Sequence, residues 1–148
     1  MAATAASRVG AGLVTVGVPA SLNPILEAKL TEEMTEPLPE PIHGFLREEA
    51  AERVLALAKG KSCIALGPGI STRVGIGELL TKVLAGYDGW VVIDADGLNC
   101  LVPNLAALKQ AKARVVLTPH PGEMGRLSGT SSAEVQRDRL TAARTLAR

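Results

Sequence analysis

The sequence predicts an α/β protein, a three-layer αβα arrangement built on a mostly parallel sheet. Two observations carry this. Short apolar runs rich in β-branched residues alternate with helical patterns of roughly 10–15 residues, which is the signature of βαβ units. Three of these runs also empty into turns carrying glycine, acid or proline, at Gly67–Gly69, Asp94–Asn99 and Thr118–Glu123. Right-handed crossovers put such turns on one rim of the sheet. Open α/β sheets bind ligands at that rim.

The elements follow in order. Met1–Gly10 is Ala-rich and reads as helix with a glycine stop, but no Ser, Thr, Asp or Asn precedes it, so Met1 is expected to fall inside an element. Leu13–Val18 reads as a strand ended by Pro19. Asn23 followed by Pro24 opens a helix to about Leu30. In the proline- and acid-rich stretch Thr31–Pro41, Met34–Leu38 reads as an edge strand and the rest as solvated loop, and His43 beyond it as a surface histidine. Leu46–Lys59 is an amphipathic helix with Leu46, Ala50, Val54 and Leu57 on one face and a Glu49/Arg53 pair opposite. Ser62–Leu66 is a buried strand, and Thr72 caps a helix to about Ala85 that Gly75 and Gly77 weaken. Trp90–Ile93 is a strand, Pro103–Lys112 a helix, and Val115–Thr118 a short buried strand. Pro119 and Pro121 halt pairing and helix alike, and Glu123–Leu127 is the next helix. Ser131 and Glu134 make a capping box for a helix running to the C-terminus.

Composition removes several classes of function. Apolar residues make up 47% of the 148, enough for a real core in one domain without internal repeats. The net charge is +1, with Lys and Arg scattered, and Phe45, Tyr87 and Trp90 are the only aromatics, so there is neither a basic stripe nor a stacking platform for nucleic acid. No apolar run approaches the ~18 residues of a membrane span. Cys63 and Cys100 lie far apart outside any CxxC and are expected to be buried, reduced thiols of a cytoplasmic protein. The first 26 residues hold one Arg and no acid, but Gly10, Gly12 and Gly17 interrupt a signal-peptide core, so a targeting segment is not expected.

The candidate site residues sit in the three turns. Gly67 and Gly69 let backbone N–H groups approach an anion, or simply make a tight turn. Asp94 and Asp96, just past an apolar strand, must be hydrated, hydrogen-bonded or metal-linked; capping of the following turn by Asp96 is the plainer role. Asn99 can both donate and accept, suiting a sugar hydroxyl or an amide, or can brace the loop. His120 is held between two prolines beside Glu123.

The segments LGPGI, VVIDADGLNCL and VVLTPHPGEMGRLSG, in this order, resemble the ADP- or ATP-dependent NAD(P)H-hydrate dehydratases, a family of the ribokinase-like superfamily. AASRVGAGLVTVGVP and MTEPLPE extend the resemblance over essentially the whole chain. It implies a partial ribokinase-like fold and an enzyme that phosphorylates the hydroxyl of hydrated NADH or NADPH and eliminates phosphate to restore the double bond. Gly67, Gly69, Asp94, Asp96, Asn99 and His120 would then line the hydrate pocket, and Glu123 would organise Mg²⁺ and phosphate through water. Ser71 stands where the family usually carries another glycine. ADP or ATP would be co-substrate.

The family's KGxxT and GxGD segments, the latter bearing the catalytic base, have no counterpart here, so no residue takes the base role and the 148-residue chain is expected to be inactive by itself. A partial sheet is expected to self-associate or to pair with a missing half. The alternatives are a sugar or vitamin-precursor kinase of the same superfamily, or a non-catalytic dinucleotide-binding or interface module.

Overall fold

A computed structural model describes residues 1–148. All strand pairings are parallel, in two sheets. Strand β1 (Thr15–Pro19) pairs with β2 (Met34–Leu38), and β3 (Cys63–Leu66), β4 (Trp90–Ile93) and β5 (Arg114–Leu117) form the second sheet in that order. The helices are α1 (Ala2–Arg8), α2 (Asn23–Glu27), α3 (Ala51–Ala58), α4 (Ile76–Gly86), α5 (Asp96–Leu101), α6 (Ala106–Lys109), α7 (Pro121–Ser128), α8 (Ser132–Arg137) and α9 (Arg139–Leu146). The predicted α/β class with parallel strands and flanking helices, a partial ribokinase-like arrangement, is what the structure has. The expected single sheet is instead split, and Lys61 Nζ donating to Thr15 Oγ1 at 3.1 Å bridges the two parts.

Helices lie on both sides of the two-stranded sheet and on one side of the three-stranded sheet. On β2, Thr35 Oγ1 donates to Glu27 of α2, while its neighbour Glu36 meets Arg53 of α3 at 2.8 Å. Successive residues of a strand point to opposite faces, so α2 and α3 sandwich this strand. The three-stranded sheet is asymmetric. Register aligns Ile64, Val91 and Val115, then Leu66, Ile93 and Leu117, on one face that packs into the core. Helix α4 supplies the other wall with Ile76, Leu79, Leu80, Val83 and Leu84, all at most 1% exposed. Their i, i+3, i+4, i+7, i+8 spacing makes one apolar stripe. The opposite face carries Cys63, Ala65, Trp90 and Val116, all exposed. The Arg114 guanidinium covers the Trp90 ring there, 4.9 Å from its centroid.

This asymmetry corrects two expectations. The short strands β3 and β5 are not buried through their length but alternate exposed and half-buried positions. Of the two thiols only Cys100 is buried; Cys63 is exposed, because its register places it on the bare face.

Helix boundaries differ where backbone chemistry outweighs pattern. Asn23 does not cap: it lies inside α2, its side chain donating to Glu27. The stretch from Leu46 starts helically only at a 3-10 turn, Glu48–Ala50, and Arg53 pairs with Glu36 rather than Glu49. Gly75 sits before α4 with φ 97°, not within it, and Thr72 caps nothing. The turn Asp96–Leu101 is itself a helix, missed because two acids and a glycine read as loop. The terminal helix breaks at Asp138, whose Oδ1 accepts from Thr141 N–H and restarts the chain as α9. The capping box at Ser131 is present as expected. Between α9 and the edge strand β5 lies an apolar groove of about 640 Å³, lined by Leu108, Val115, Leu117, Leu140 and Leu146 among others.

Two outcomes follow for solution measurements. A thiol reagent applied to the native protein should titrate one equivalent quickly, Cys63, and the second only on unfolding, because burial pushes the Cys100 thiol up as well as hiding it; two fast equivalents would contradict the sidedness of the sheet. Hydrogen bonds from the Ser131 backbone N–H, and then its hydroxyl, hold the Glu134 carboxyl below its ordinary value of 4.5. A depressed folded-state pKa means the cap's contribution is complete above that ordinary value and is lost as pH falls through the lowered one. The Glu134 carboxyl resonance should therefore titrate late, with α8 amides losing exchange protection in step.

Candidate functional site

The carboxyl ends of β3, β4 and β5 converge on one rim. Gly67, leaving β3 with φ 129°, lies against the end of β4: a Cβ there would fall onto the Asp94 carbonyl oxygen. That carbonyl accepts from Gly97 N–H at 3.0 Å, and a Cβ at Gly97 would stand 3.0 Å from the Gly67 Cα. Two glycines thus bring the first and second turns into backbone contact, which no side chain would allow. Gly69 is different. Its φ is 76°, and nothing lies within 4 Å of where its Cβ would point, so this glycine faces open space.

The acidic pair is divided between two tasks. Asp94 Oδ1 accepts from Ala95 N–H at 2.8 Å, which helps hold Ala95 at φ 51°. Asp96 Oδ2 accepts from Ser71 N–H at 3.0 Å, tying the second turn to the first, so it bridges turns rather than capping its own helix. Ser71 itself has φ 76°, the physical reason a glycine suits this position. Ser71 and Ala95 are the only non-glycine residues with positive φ, and both stand here. Such strain persists only where surrounding contacts enforce it, and it clusters at binding sites.

The third turn is organised by His120 and Glu123. Gly122 N–H donates to His120 Nδ1 at 3.0 Å, so that nitrogen is the unprotonated acceptor and Nε2 carries the proton. His120 Nε2 lies 3.3 Å from Glu123 Oε1, and His120 N–H donates to Glu123 Oε2 at 2.9 Å. The pair is a reciprocal cap on α7, with Pro121 in the first helical position; that proline starts the helix rather than stopping it. Glu123 is buried, its side chain 8% exposed, whereas the imidazole is 62% exposed above it. Imidazole and carboxylate therefore act as one rigid unit whose open part is the ring.

Arg126, which sequence reasoning passed over, joins the second and third turns. Its Nε donates to Asn99 Oδ1 at 2.8 Å, and its Nη1 lies 4.0 Å from where a Cβ on Gly122 would sit. The legible signal was its place one helical turn after Gly122, on the same face as the start of α7. Gly67, Gly69, Asp94, Asp96, Asn99, His120 and Glu123 thus share one rim, linked turn to turn. No three ligand-type side chains come together as a metal cluster. Glu123 is one carboxylate with both oxygens engaged by His120, so these residues do not by themselves make a magnesium cage.

Parallel strands emptying into turns that carry glycine, carboxylate and imidazole define an α/β protein of partial ribokinase-like type. Residues 1–148 match the family described as NAD(P)H-hydrate dehydratase, and the chain belongs to that family. It is 43% identical over 148 residues to the bifunctional NAD(P)H-hydrate repair enzyme Nnr of Moorella thermoacetica, covering 100% of this chain and 28% of that protein. The corresponding enzyme of Thermanaerovibrio acidaminovorans is 39% identical over 140 residues, 93% of this chain and 27% of its own length. That of Coxiella burnetii is 39% identical over 142 residues, 96% and 26% respectively. The chain thus spans about 28% of the first of these relatives.

Local strain supplies a test of the first turn. Ser71→Gly keeps the N–H bond to Asp96 and relieves roughly 1–2 kcal/mol of left-handed strain. A more flexible unfolded chain gives back about 0.4–1 kcal/mol of this. Urea denaturation should show a net gain of roughly 0.5–1 kcal/mol. Gly67→Ala should cost about 3 kcal/mol or more, since its Cβ has nowhere to go. Neutral behaviour of both variants would mean the turns do not meet as described.

Proposed function

We propose that this chain supplies the hydrate-binding part of an ADP- or ATP-dependent NAD(P)H-hydrate dehydratase, a lyase of metabolite repair. The observation that carries the reading is the exposed imidazole locked on buried Glu123, beside the open Gly69 turn and the Asp94–Asn99 turn. Family membership supports the same assignment.

In this reading the hydrated nicotinamide ring of NADHX or NADPHX lies against the rim, over the open Gly69 turn. His120 and the Gly69 backbone contact it, and Asn99 and the aspartates set its orientation. Asp94 and Asp96 already spend one oxygen each on Ala95 and Ser71 N–H groups, so their remaining lone pairs are aimed rather than free to wander. The nucleotide converts the ring hydroxyl into a phosphate, a far better leaving group than hydroxide. Its loss takes a ring proton with it and restores the reduced dinucleotide, ADP or AMP being released. The base that accepts that proton is not assigned to any residue of this chain. Mg²⁺ belongs to the proposal as an ion carried mainly by nucleotide phosphates and water, with Glu123 reaching it through a water.

Domain composition is part of the same proposal: residues 1–148 act as one partial ribokinase-like domain whose nucleotide-binding half lies elsewhere in sequence. Self-association, or pairing with such a half, covers the bare face of the three-stranded sheet. No helix is long and apolar enough to cross a membrane, in keeping with action on a soluble metabolite. A cytoplasmic site of action and no role for nucleic acid complete the reading.

Titration with hydrated NADH, followed by ligand-observed NMR, tests this. The wild-type chain should bind the hydrate. His120→Asn, which retains a good helix cap, should keep the fold by circular dichroism and lose binding about tenfold or more. Supplied with a polypeptide carrying the KGxxT and GxGD segments, it should return absorbance of reduced dinucleotide only when nucleotide is present. A stable phosphorylated product instead would favour a kinase, and unimpaired binding by His120→Asn would remove the imidazole from the site.

A further inference from the structure

We infer that Arg126 is a positioning residue that makes Asn99 a donor-only contact, so that Asn99 selects an oxygen acceptor on the bound ligand. A carboxamide side chain is ambiguous in principle, since either end can face a ligand. Here the ambiguity is resolved by chemistry. A guanidinium has only donors, so the atom 2.8 Å from Arg126 Nε must be the Asn99 oxygen. With Oδ1 occupied, the amide's free face is Nδ2, which has no hydrogen-bond partner within the protein.

Placement gives this meaning. Asn99 stands in the first turns of α5, straight after β4, and Arg126 in α7, straight after β5. Their bond therefore spans the gap between the second and third turns, next to Gly122 and the exposed imidazole. The bond lies at the surface, so what turns the Asn99 amide is the charge-assisted hydrogen bond itself and not burial. The site is otherwise rich in acceptors: Asp94, Asp96 and Glu123 carry only oxygens. A fixed N–H donor among them is what distinguishes a ligand's carboxamide or hydroxyl oxygen from its amino group. The inference rests on the proposed dinucleotide hydrate, whose ring carries both a carboxamide and a hydroxyl.

The experiment has a ligand-free arm and a binding arm, both on the 148-residue chain. In the free protein, the Arg126 Nε–H signal should be protected from exchange. Asn99→Ala should abolish that protection, while Asn99→Asp should keep it. Loss of no protection in Asn99→Ala would overturn the clamp. In the binding arm, with hydrated NADH as probe, Asn99→Asp should weaken affinity at least tenfold although its Arg126 contact survives. Arg126→Ala should weaken it about three- to tenfold, and Arg126→Lys should not restore it fully. Wild-type strength in Asn99→Asp overturns the inference and leaves the proposed function standing. A wild type that shows the protected Nε–H but binds no hydrated NADH overturns the proposed function and the donor role together, leaving only the Arg126–Asn99 clamp.

Discussion

The first two turns of the rim depend on the contact between Gly67 and the end of β4. It is a backbone-to-backbone approach, closer than any Cβ permits, and it brings the Asp94 carbonyl, the Gly97 N–H and the Gly67 Cα into one small volume. Once those atoms meet, the positions of Ser71 and Ala95 are no longer free, and both are held at positive φ. The hydrogen bonds from Ser71 N–H to Asp96 and from Ala95 N–H to Asp94 are the local compensation for that strain. The acids singled out for chemistry are therefore also the groups that make the turn geometry tolerable. A bare buried charge is costly, and here each charge is met by a backbone donor.

The third turn reaches the same rigidity by a different route. His120 and Glu123 exchange hydrogen bonds around the start of α7, so the imidazole is fixed without being buried. Proline on either side removes two backbone freedoms, and Pro121 fits the first turn of the helix because the N–H it lacks would have had no partner. Arg126 then joins this unit to Asn99. Three turns from three neighbouring strands form one connected frame, with Gly69 and the imidazole ring left open above it.

Much of this was legible in sequence because periodicity and punctuation agree. The strand Trp90–Ile93 and the edge strand Met34–Leu38 coincide with β4 and β2, and the Ser131 capping box is where its spacing predicts. The rim grouping of the three turns follows from right-handed parallel crossovers alone. What failed did so for identifiable reasons. Cys63 and Val116 look like core because their strands are apolar throughout, but only register reveals that they share the bare face with Trp90. Helix α5 hides in a sequence whose acids and glycine signal a loop, because its start is set by the tertiary contact between Gly97 and Gly67 and not by propensity. Arg126 shows in sequence only as a neighbour of Gly122 on α7, and its bond to Asn99 does not, because that is a tertiary contact with a residue 27 positions away.

The same distinction separates the two faces of the three-stranded sheet. One face is paired with the continuous stripe of α4 and behaves as the interior of a finished domain, with Val91 and Ile93 fully enclosed. The other exposes Trp90, and the nearest thing to a cover is the Arg114 side chain lying on its ring. A cation over an indole shields part of the ring but leaves the aliphatic positions beside it wet. The rim residues are held from the enclosed side, through Gly67, Gly97 and α7. Their geometry therefore does not require the bare face to be covered: the three turns are tied to one another on the side that α4 closes.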